Sequence, residues 1–322
     1  MTKFRAAIAQ IGSIPFDKAA STQKVIEYIH KAAATGAKLV VFPEATISGY
    51  PKGSDFGARV GGRQPRGRDE FVRYFDAAIT VPGPETDELA AAAREAQTYV
   101  VIGVMEKEVG TLYCTALYFS PEGQLLGKHR KLMPTAMERL IWGFGDGSTL
   151  PVYDTPYGKL GSVICWENYM PLLRMAMYNK GIQIYCAPTA DDRPAWITTM
   201  QHIAMEGRCF VLAACQYITR EAYPSDYDAI QGNTPETVLF HGGSAIINPA
   251  GEILAGPNYE GEAILTADID LSDITRWKYD LDVVGHYARP DIFRLIVDEN
   301  PKPPVMNMND PLDPLNLQSH KN

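Results

Sequence analysis

The order of periodicities at the N-terminus narrows the fold more than any other feature of the sequence. Phe4 to Gln10 reads as a buried strand, and Asp17 to Ala34 as a helix with Val25, Ile26, Ile29 and Ala33 on one face, closed by Gly36. Lys38 to Phe42 is strand-like again and stops at Pro43-Glu44. A strand, a helix and a second strand in that order begin an α/β domain, whose working groups collect at strand ends.

Glu44 is the first such group. A carboxylate set just beyond a proline that halts a strand is held at a fixed point near the core, where partial loss of water raises its basicity. The competing reading is a cap for a loop or helix. Beyond it, Ser54 to Arg68 is rich in Gly and Arg, and Arg59 to Arg73 holds five arginines. That patch reads as a solvated loop leading into a helix over Asp69 to Ala78. Glu85 to Gln97 is a second helix, and Tyr99 to Glu106, Thr111 to Ser120 and Gln124 to His129 are successive strands.

Two more stretches carry chemistry. In Lys128 to Glu138, KHRKLMPTAME, Lys131 precedes Leu132, Met133 and Pro134, a setting that holds an ammonium in a fixed, partly dry position; a solvated basic turn is the alternative. Glu138 lies seven residues on, placed to pair with Lys131 or with a substrate. Leu160 to Tyr178, LGSVICWENYMPLLRMAMY, starts as a buried strand and becomes a helix from Pro171. Cys165 sits at the handover, where the positive end of a helix dipole favours an anion and a thiol is expected to ionise more readily than usual. A buried small hydrophobe is the alternative. Cys114, Cys186, Cys209 and Cys215 lie inside strand-like runs and read as core packing.

Composition limits the partners. A net charge of −8 and a pI near 5.3 argue against nucleic acid, which needs clustered Lys and Arg. The five cysteines form no CxxC pair and are odd in number, which favours reduced thiols and a cytoplasmic protein. Met1 to Gln10 lacks a signal-peptide core, and no stretch approaches a membrane span.

A carboxylate, an ammonium and a thiol at strand ends make a hydrolytic set: the carboxylate takes the thiol proton, the thiolate attacks an electrophilic carbon, and the ammonium stabilises developing negative charge. On Phe42-Pro43-Glu44, on His129-Arg130-Lys131-Leu132-Met133-Pro134-Thr135 with Glu138, and on Cys165-Trp166-Glu167-Asn168 followed by Met170-Pro171-Leu172, the chain resembles the nitrilase superfamily of carbon-nitrogen hydrolases, up to about Glu299. The resemblance implies a four-layer α-β-β-α sandwich over 1–299; beyond it, 300–322 reads as a disordered tail, since Pro301 to Asn322 holds five prolines and little that could pack. The resemblance also implies Glu44 as general base, Lys131 as stabilising ammonium, Cys165 as nucleophile and Glu138 as a second carboxylate that positions substrate or water, with no metal or organic cofactor.

CWEN and the MPL after it look like the true nitrilases rather than the aliphatic amidases. The implied substrate is a small organic nitrile, walled by Tyr50, Trp142 and Trp166; plain core packing is the alternative for all three. The cyanide-degrading branch more often has His where Asn168 stands, so cyanide hydratase or dihydratase activity is a lesser alternative beside amidase activity. Members of the resembled branch form dimers that extend into spirals, and Gly53 to Arg73 and Tyr223 to Thr237 read as insertions suited to that; a catalytically inert filament-forming scaffold is the non-enzymatic alternative. A cysteine protease would need a histidine beside Cys165, whereas His129 and His202 read as structural hydrogen-bonders. Glu167 reads as a partner of the helix dipole or of a salt bridge.

Overall fold

The strand and helix periods of the sequence resolve into an ordered series in a computed structural model that describes residues 2–303 and 305. The first half runs β1 (Lys3–Gln10), α1 (Lys18–Ala34), β2 (Ala37–Val41), the hairpin β3 (Ala58–Arg59) and β4 (Gly62–Arg63), α2 (Arg66–Ala77), α3 (Pro84–Ala96), β5 (Tyr99–Glu108), β6 (Thr111–Phe119) and β7 (Leu125–Arg130). The second half runs α4 (Glu138–Ile141), β8 (Val152–Thr155), β9 (Gly158–Ser162), α5 (Pro171–Asn179), β10 (Ile184–Thr189), α6 (Pro194–Gly207) and β11 (Phe210–Cys215). It ends with the hairpin β12 (Tyr217–Thr219) and β13 (Val238–His241), then β14 (Ser244–Ile247), β15 (Ile253–Asn258), β16 (Ala263–Asp270) and α7 (Ser272–Trp277).

Two six-stranded sheets result, ordered β16-β1-β2-β5-β6-β7 and β15-β14-β11-β10-β9-β8. Each has three parallel strands at its centre, β1, β2, β5 in one and β9, β10, β11 in the other, with antiparallel strands outside them. Strands buried on both faces need apolar residues on both. Phe4, Ile8, Leu39, Val41 and Val101 face Leu160, Ile184, Phe210, Leu212 and Ile246 across the space between the sheets. On the outer face of the first sheet, Val25 and Ile29 of α1 and Leu89 of α3 pack on Ala7, Val40 and Val100. Leu173 and Met177 of α5, with Trp196 and Met200 of α6, cover Val163, Tyr185 and Val211 on the second. The four layers α-β-β-α are therefore held by three apolar seams, each fully buried Leu, Ile or Phe contributing about 1.5–3 kcal/mol.

Local signals set the element ends. Asp17 accepts from Ala20 N at 2.9 Å and caps α1, and Pro171 and Pro194 open α5 and α6, where a missing N–H costs nothing. The arginine-rich stretch departs from expectation, since its helix begins at Arg66 rather than Asp69; Arg66 is drawn in by Asp55 at 2.6 Å and by Glu70. The two segments expected as insertions meet within the chain. Tyr223 Oη donates to Tyr50 O at 2.7 Å, Tyr227 Oη to Lys52 O at 2.9 Å, and Arg73 pairs with Asp226 at 3.1 Å. The expected tail over 300–322 falls almost wholly outside the described residues.

Candidate active site

The C-terminal ends of β2, β9, β10 and β11 point to one region, as open α/β sheets generally arrange their working residues. Glu44 follows β2 after Phe42 and Pro43. Its backbone is pressed against β5 at Gly103, where an added Cβ would lie 2.5 Å from Pro43 O and 2.6 Å from Glu44 Cα. Only glycine admits that approach, so Gly103 is part of how Glu44 is placed. From the other sheet, Gln216 Nε2 donates to Glu44 O at 2.8 Å.

Lys131 follows β7 and is 1% exposed. Its Nζ donates to Glu44 Oε1 at 2.7 Å and to Glu138 Oε2 at 2.8 Å. Glu138 opens α4 and is held by Thr135 N at 2.6 Å and by Tyr50 Oη, which donates to Oε1 at 2.6 Å. An ammonium between two buried carboxylates is stable only because each charge offsets the others' loss of water.

The strand-to-helix handover at Cys165 contains an extra step. β9 ends at Ser162, and a 3-10 turn over Cys165–Tyr169 precedes α5. Cys165 itself has φ 51°, a left-handed conformation that costs a non-glycine residue about 1–3 kcal/mol and persists only where its surroundings enforce it. The enforcement is visible. Glu167 accepts from Leu132 N at 2.5 Å, Ile164 N at 2.9 Å and His129 Nε2 at 3.0 Å, while Asn168 Nδ2 donates to Val163 O and Cys165 O at 2.9 and 2.7 Å. The salt-bridge reading of Glu167 is what the geometry shows. At the thiol, Thr189 Oγ1 donates to Cys165 Sγ at 3.3 Å and itself accepts from Asp191 N at 2.9 Å.

Electrostatics correct one expectation. A short 3-10 turn offers little dipole, and burial, followed by the charge of Glu44, pushes the Cys165 thiol well up; Lys131 and the Thr189 hydroxyl oppose this only in part. Cys165 therefore needs a base to ionise. Burial likewise raises Glu44 above the usual carboxylate value of 4.5, against the pull of Lys131. For Lys131 burial works toward the neutral amine, but Glu44, Cys165 and Glu138 outweigh it and hold the ammonium, its pKa raised well above 10.5. The site thus joins a carboxylate made more basic, an amine held toward its charged form and a thiol held toward its neutral form.

A cleft of about 200 Å³ opens on Cys165 and Glu138, lined also by Tyr50, Lys52, Trp166 and Asp191 among others. Trp166 stands at its mouth, 42% exposed, with Nε1 donating to Asp191 Oδ2 at 2.8 Å and Arg193 5.0 Å above the ring. Trp142, read as a pocket wall, lies one layer back: 3% exposed, it sits 5.2 Å from Lys131 Nζ and meets Tyr50 edge-on at 5.6 Å. Its position follows from its isolated bridge to Leu112, which ties its backbone alongside β6. His129 is fully committed to Thr149 O and Glu167, and His202 and His241 pair with Glu206 and Asp192. Among the described residues none of the histidines bonds Cys165, and no cluster of three or more His, Cys, Asp or Glu could hold a metal. No helix among them is long and apolar enough to cross a membrane.

Two residues beside the thiol and carboxylate were not legible as functional. Thr189 closes a strand and Cys114 lies within one, and both types are ordinary there; the ends of β10 and β11, facing the end of β9, were the signal available for Thr189. Cys114 is buried as expected, yet its Sγ donates to Glu44 Oε1 at 3.3 Å.

Known proteins resemble the chain over most of its length. The carbon-nitrogen hydrolase family model matches residues 5–279. An aliphatic nitrilase of Sinorhizobium fredii is 60% identical over 95% of this chain and 99% of its own, and a bifunctional nitrilase/nitrile hydratase of Nicotiana tabacum is 55% identical over 94% and 88%. A crystal structure of a Saccharomyces cerevisiae protein from branch 10 of the nitrilase superfamily superposes with a TM-score of 0.68 at 25% identity, covering 88% of this chain and 96% of that one. A carbon-nitrogen hydrolase of Helicobacter pylori shares the fold, with a TM-score of 0.70 at 22% identity over 90% and 97% of the two chains. With its four layers and with motifs and relatives that run nearly its whole length, the chain belongs to the carbon-nitrogen hydrolase family, the nitrilase superfamily.

Proposed function

We propose that this chain is a nitrilase that converts an organic nitrile and two waters to a carboxylic acid and ammonia through a covalent intermediate on Cys165. The carrying observation is the buried Glu44–Lys131–Glu138 ion cluster, which reaches the Cys165 cleft through Glu138. The whole-length likeness to proteins named as nitrilases supports the choice of nitrile over amide.

In this reading Glu44 accepts the Cys165 proton as sulfur adds to the nitrile carbon, giving a thioimidate whose nitrogen takes up that proton. Lys131 faces the charge that accumulates, in a dry site where such a cation acts strongly. Water, deprotonated by Glu44 or Glu138, adds to the thioimidate carbon; the nitrogen departs as ammonia and a thioester remains. A second water releases the acid and restores the thiol. Expulsion of sulfur instead of ammonia from the same tetrahedral carbon gives the amide, so a minor amide product is expected, in keeping with the relatives named bifunctional nitrilase/nitrile hydratase. The reaction as written uses only thiolate addition and proton transfers, with no cofactor.

The small cleft suits a compact nitrile, with Trp166 and Tyr50 against its body. We place the protein in the cytoplasm, since its five thiols are free and buried. Association into dimers and longer spirals belongs to the same reading, because Leu172 of α5, Met205 of α6 and the arm bearing Phe293 and Ile296 leave large apolar side chains exposed. Size-exclusion chromatography with light scattering tests this, and a monomer at all concentrations would refute it.

The function itself is tested by supplying a panel of nitriles and their matching amides, and measuring ammonia, acid and amide. Nitrile turnover that disappears in Cys165→Ala supports the reading and removes the inert scaffold. Ammonia from amides with none from nitriles replaces it with an amidase.

A further inference from the structure

Cys114 is a buried nucleophilic side chain that the proposed reaction does not use. It lies on β6, 1% exposed, and its thiol donates to Glu44 Oε1 at 3.3 Å. The same oxygen receives Lys131 Nζ at 2.7 Å. Glu44 Oε2, equally buried, has no hydrogen-bond partner among the described residues. One oxygen of the carboxylate is thus held by two donors, and the other is bare. Buried carboxylate oxygens are normally satisfied, so an orphan of this kind marks a place where something else is meant to bind.

The strand fixes the donor as firmly as the acceptor is fixed. Cys114 is opposite Met105 in the β5–β6 ladder, and its carbonyl accepts from Lys131 N at 2.8 Å. One residue of β6 therefore anchors the backbone of the ammonium and the head group of the carboxylate. Its sulfur is no rival to Cys165, because Cys165 lines the cleft and Cys114 does not.

We propose that Cys114 is a positioning residue for the hydrolysis: together with Lys131 it pins Glu44 Oε1, so that Oε2 is the oxygen presented to the Cys165 thiol and then to water. This rests on the reading of Glu44 as general base. A thiol suits the task because S–H is a weak donor. It sets the rotation of the carboxylate while removing less of its basicity than a hydroxyl or amide would.

The test is the pH dependence of kcat/KM for nitrile hydrolysis in Cys114→Ala, Cys114→Val and Cys114→Ser, with thermal melts as a folding control. Loss of a donor to the charged carboxylate raises its pKa. The acid limb should therefore move up by about half to one pH unit in Cys114→Ala, with kcat down about tenfold, since one misoriented general base is worth roughly that or more. Cys114→Val, which refills the volume without a donor, should show the same displaced limb if Cys114→Ala fails to fold. Cys114→Ser keeps a donor and should return the limb toward its wild-type position. A purely packing role predicts the opposite: Val near wild type, and an acid limb that stays put in all three variants. That result overturns the proposal. Glu44→Gln separates the two readings, because retained turnover there defeats the general base itself, whereas an inactive Glu44→Gln beside an unmoved limb in Cys114→Val defeats only the positioning role.

Discussion

Glu44 and Glu167 are two carboxylates of the same region, both with side chains wholly removed from water. They are used differently. Glu167 accepts three N–H groups, with both of its oxygens engaged. Glu44 accepts at one oxygen only, and the other is unpartnered among the described residues. Full hydrogen bonding turns a buried charge into a fastener for the turn that carries the nucleophile. Incomplete hydrogen bonding leaves a charge with unspent basicity, at a cost in stability that only function explains.

Exchanging each carboxylate for its amide should pull these roles apart. Glu44→Gln is expected to lower kcat/KM about 10³–10⁴-fold, the upper range for removal of a general base, and to lower Tm less than Glu167→Gln does, because Lys131 loses one buried counter-charge but keeps Glu138. Glu167→Gln sets amide hydrogens against Leu132 N–H, Ile164 N–H or His129, and should cost about 3–5 kcal/mol of stability, the range for breaking a buried pair. Its activity should fall less than that of Glu44→Gln when both are assayed well below their melting temperatures. Equal catalytic losses at equal stability would erase the distinction. Lys131→Met sits between them. It strands Glu44 and Glu138 together, so both turnover, by about 10²-fold, and Tm should drop.

pH sharpens the contrast further. The proposed reaction requires ionised Glu44, whose pKa burial raises above 4.5, so the acid limb of kcat/KM should fall above the ordinary carboxylate range. His129 acts on stability instead. Burial opposes its charge, but Glu167 prevails and raises its pKa above 6.5; Nδ1 faces the carbonyl of Thr149, so both ring nitrogens act as donors. A folded-state pKa above the unfolded one means that this stabilisation is complete below about pH 6.5 and disappears as pH climbs through the folded value. Tm should decline across that window in the wild type and not in His129→Gln, while turnover persists in both. The smallest effect is expected for Trp142→Phe, within about threefold in kcat, because the indole stands behind the ammonium rather than against substrate.

Much of this was legible before any coordinates. The opening strand-helix-strand pattern implied an α/β domain, Glu44 and Cys165 stood out because each ended an apolar run, and Lys131 because Leu132, Met133 and Pro134 follow it. Spacing does not report depth, and there the sequence misled. Cys165 was expected to ionise easily, yet burial and Glu44 work against it, and Trp142 was placed one layer too near the cleft. Cys114 and Thr189 were invisible as participants, since a small residue in a core strand looks alike whether it packs or donates. Only the register of β6, and the way the end of β10 faces the end of β9, gave them their partners.

Tyr50 ties the catalytic floor to the outer loops. Its hydroxyl supports Glu138 and its carbonyl is held by Tyr223. Anyone re-engineering the substrate range would thus meet a mechanical linkage: libraries that vary 223–237 alone should score as crippled hydrolysis rather than altered taste, and the two loops are best transplanted between relatives as a matched set.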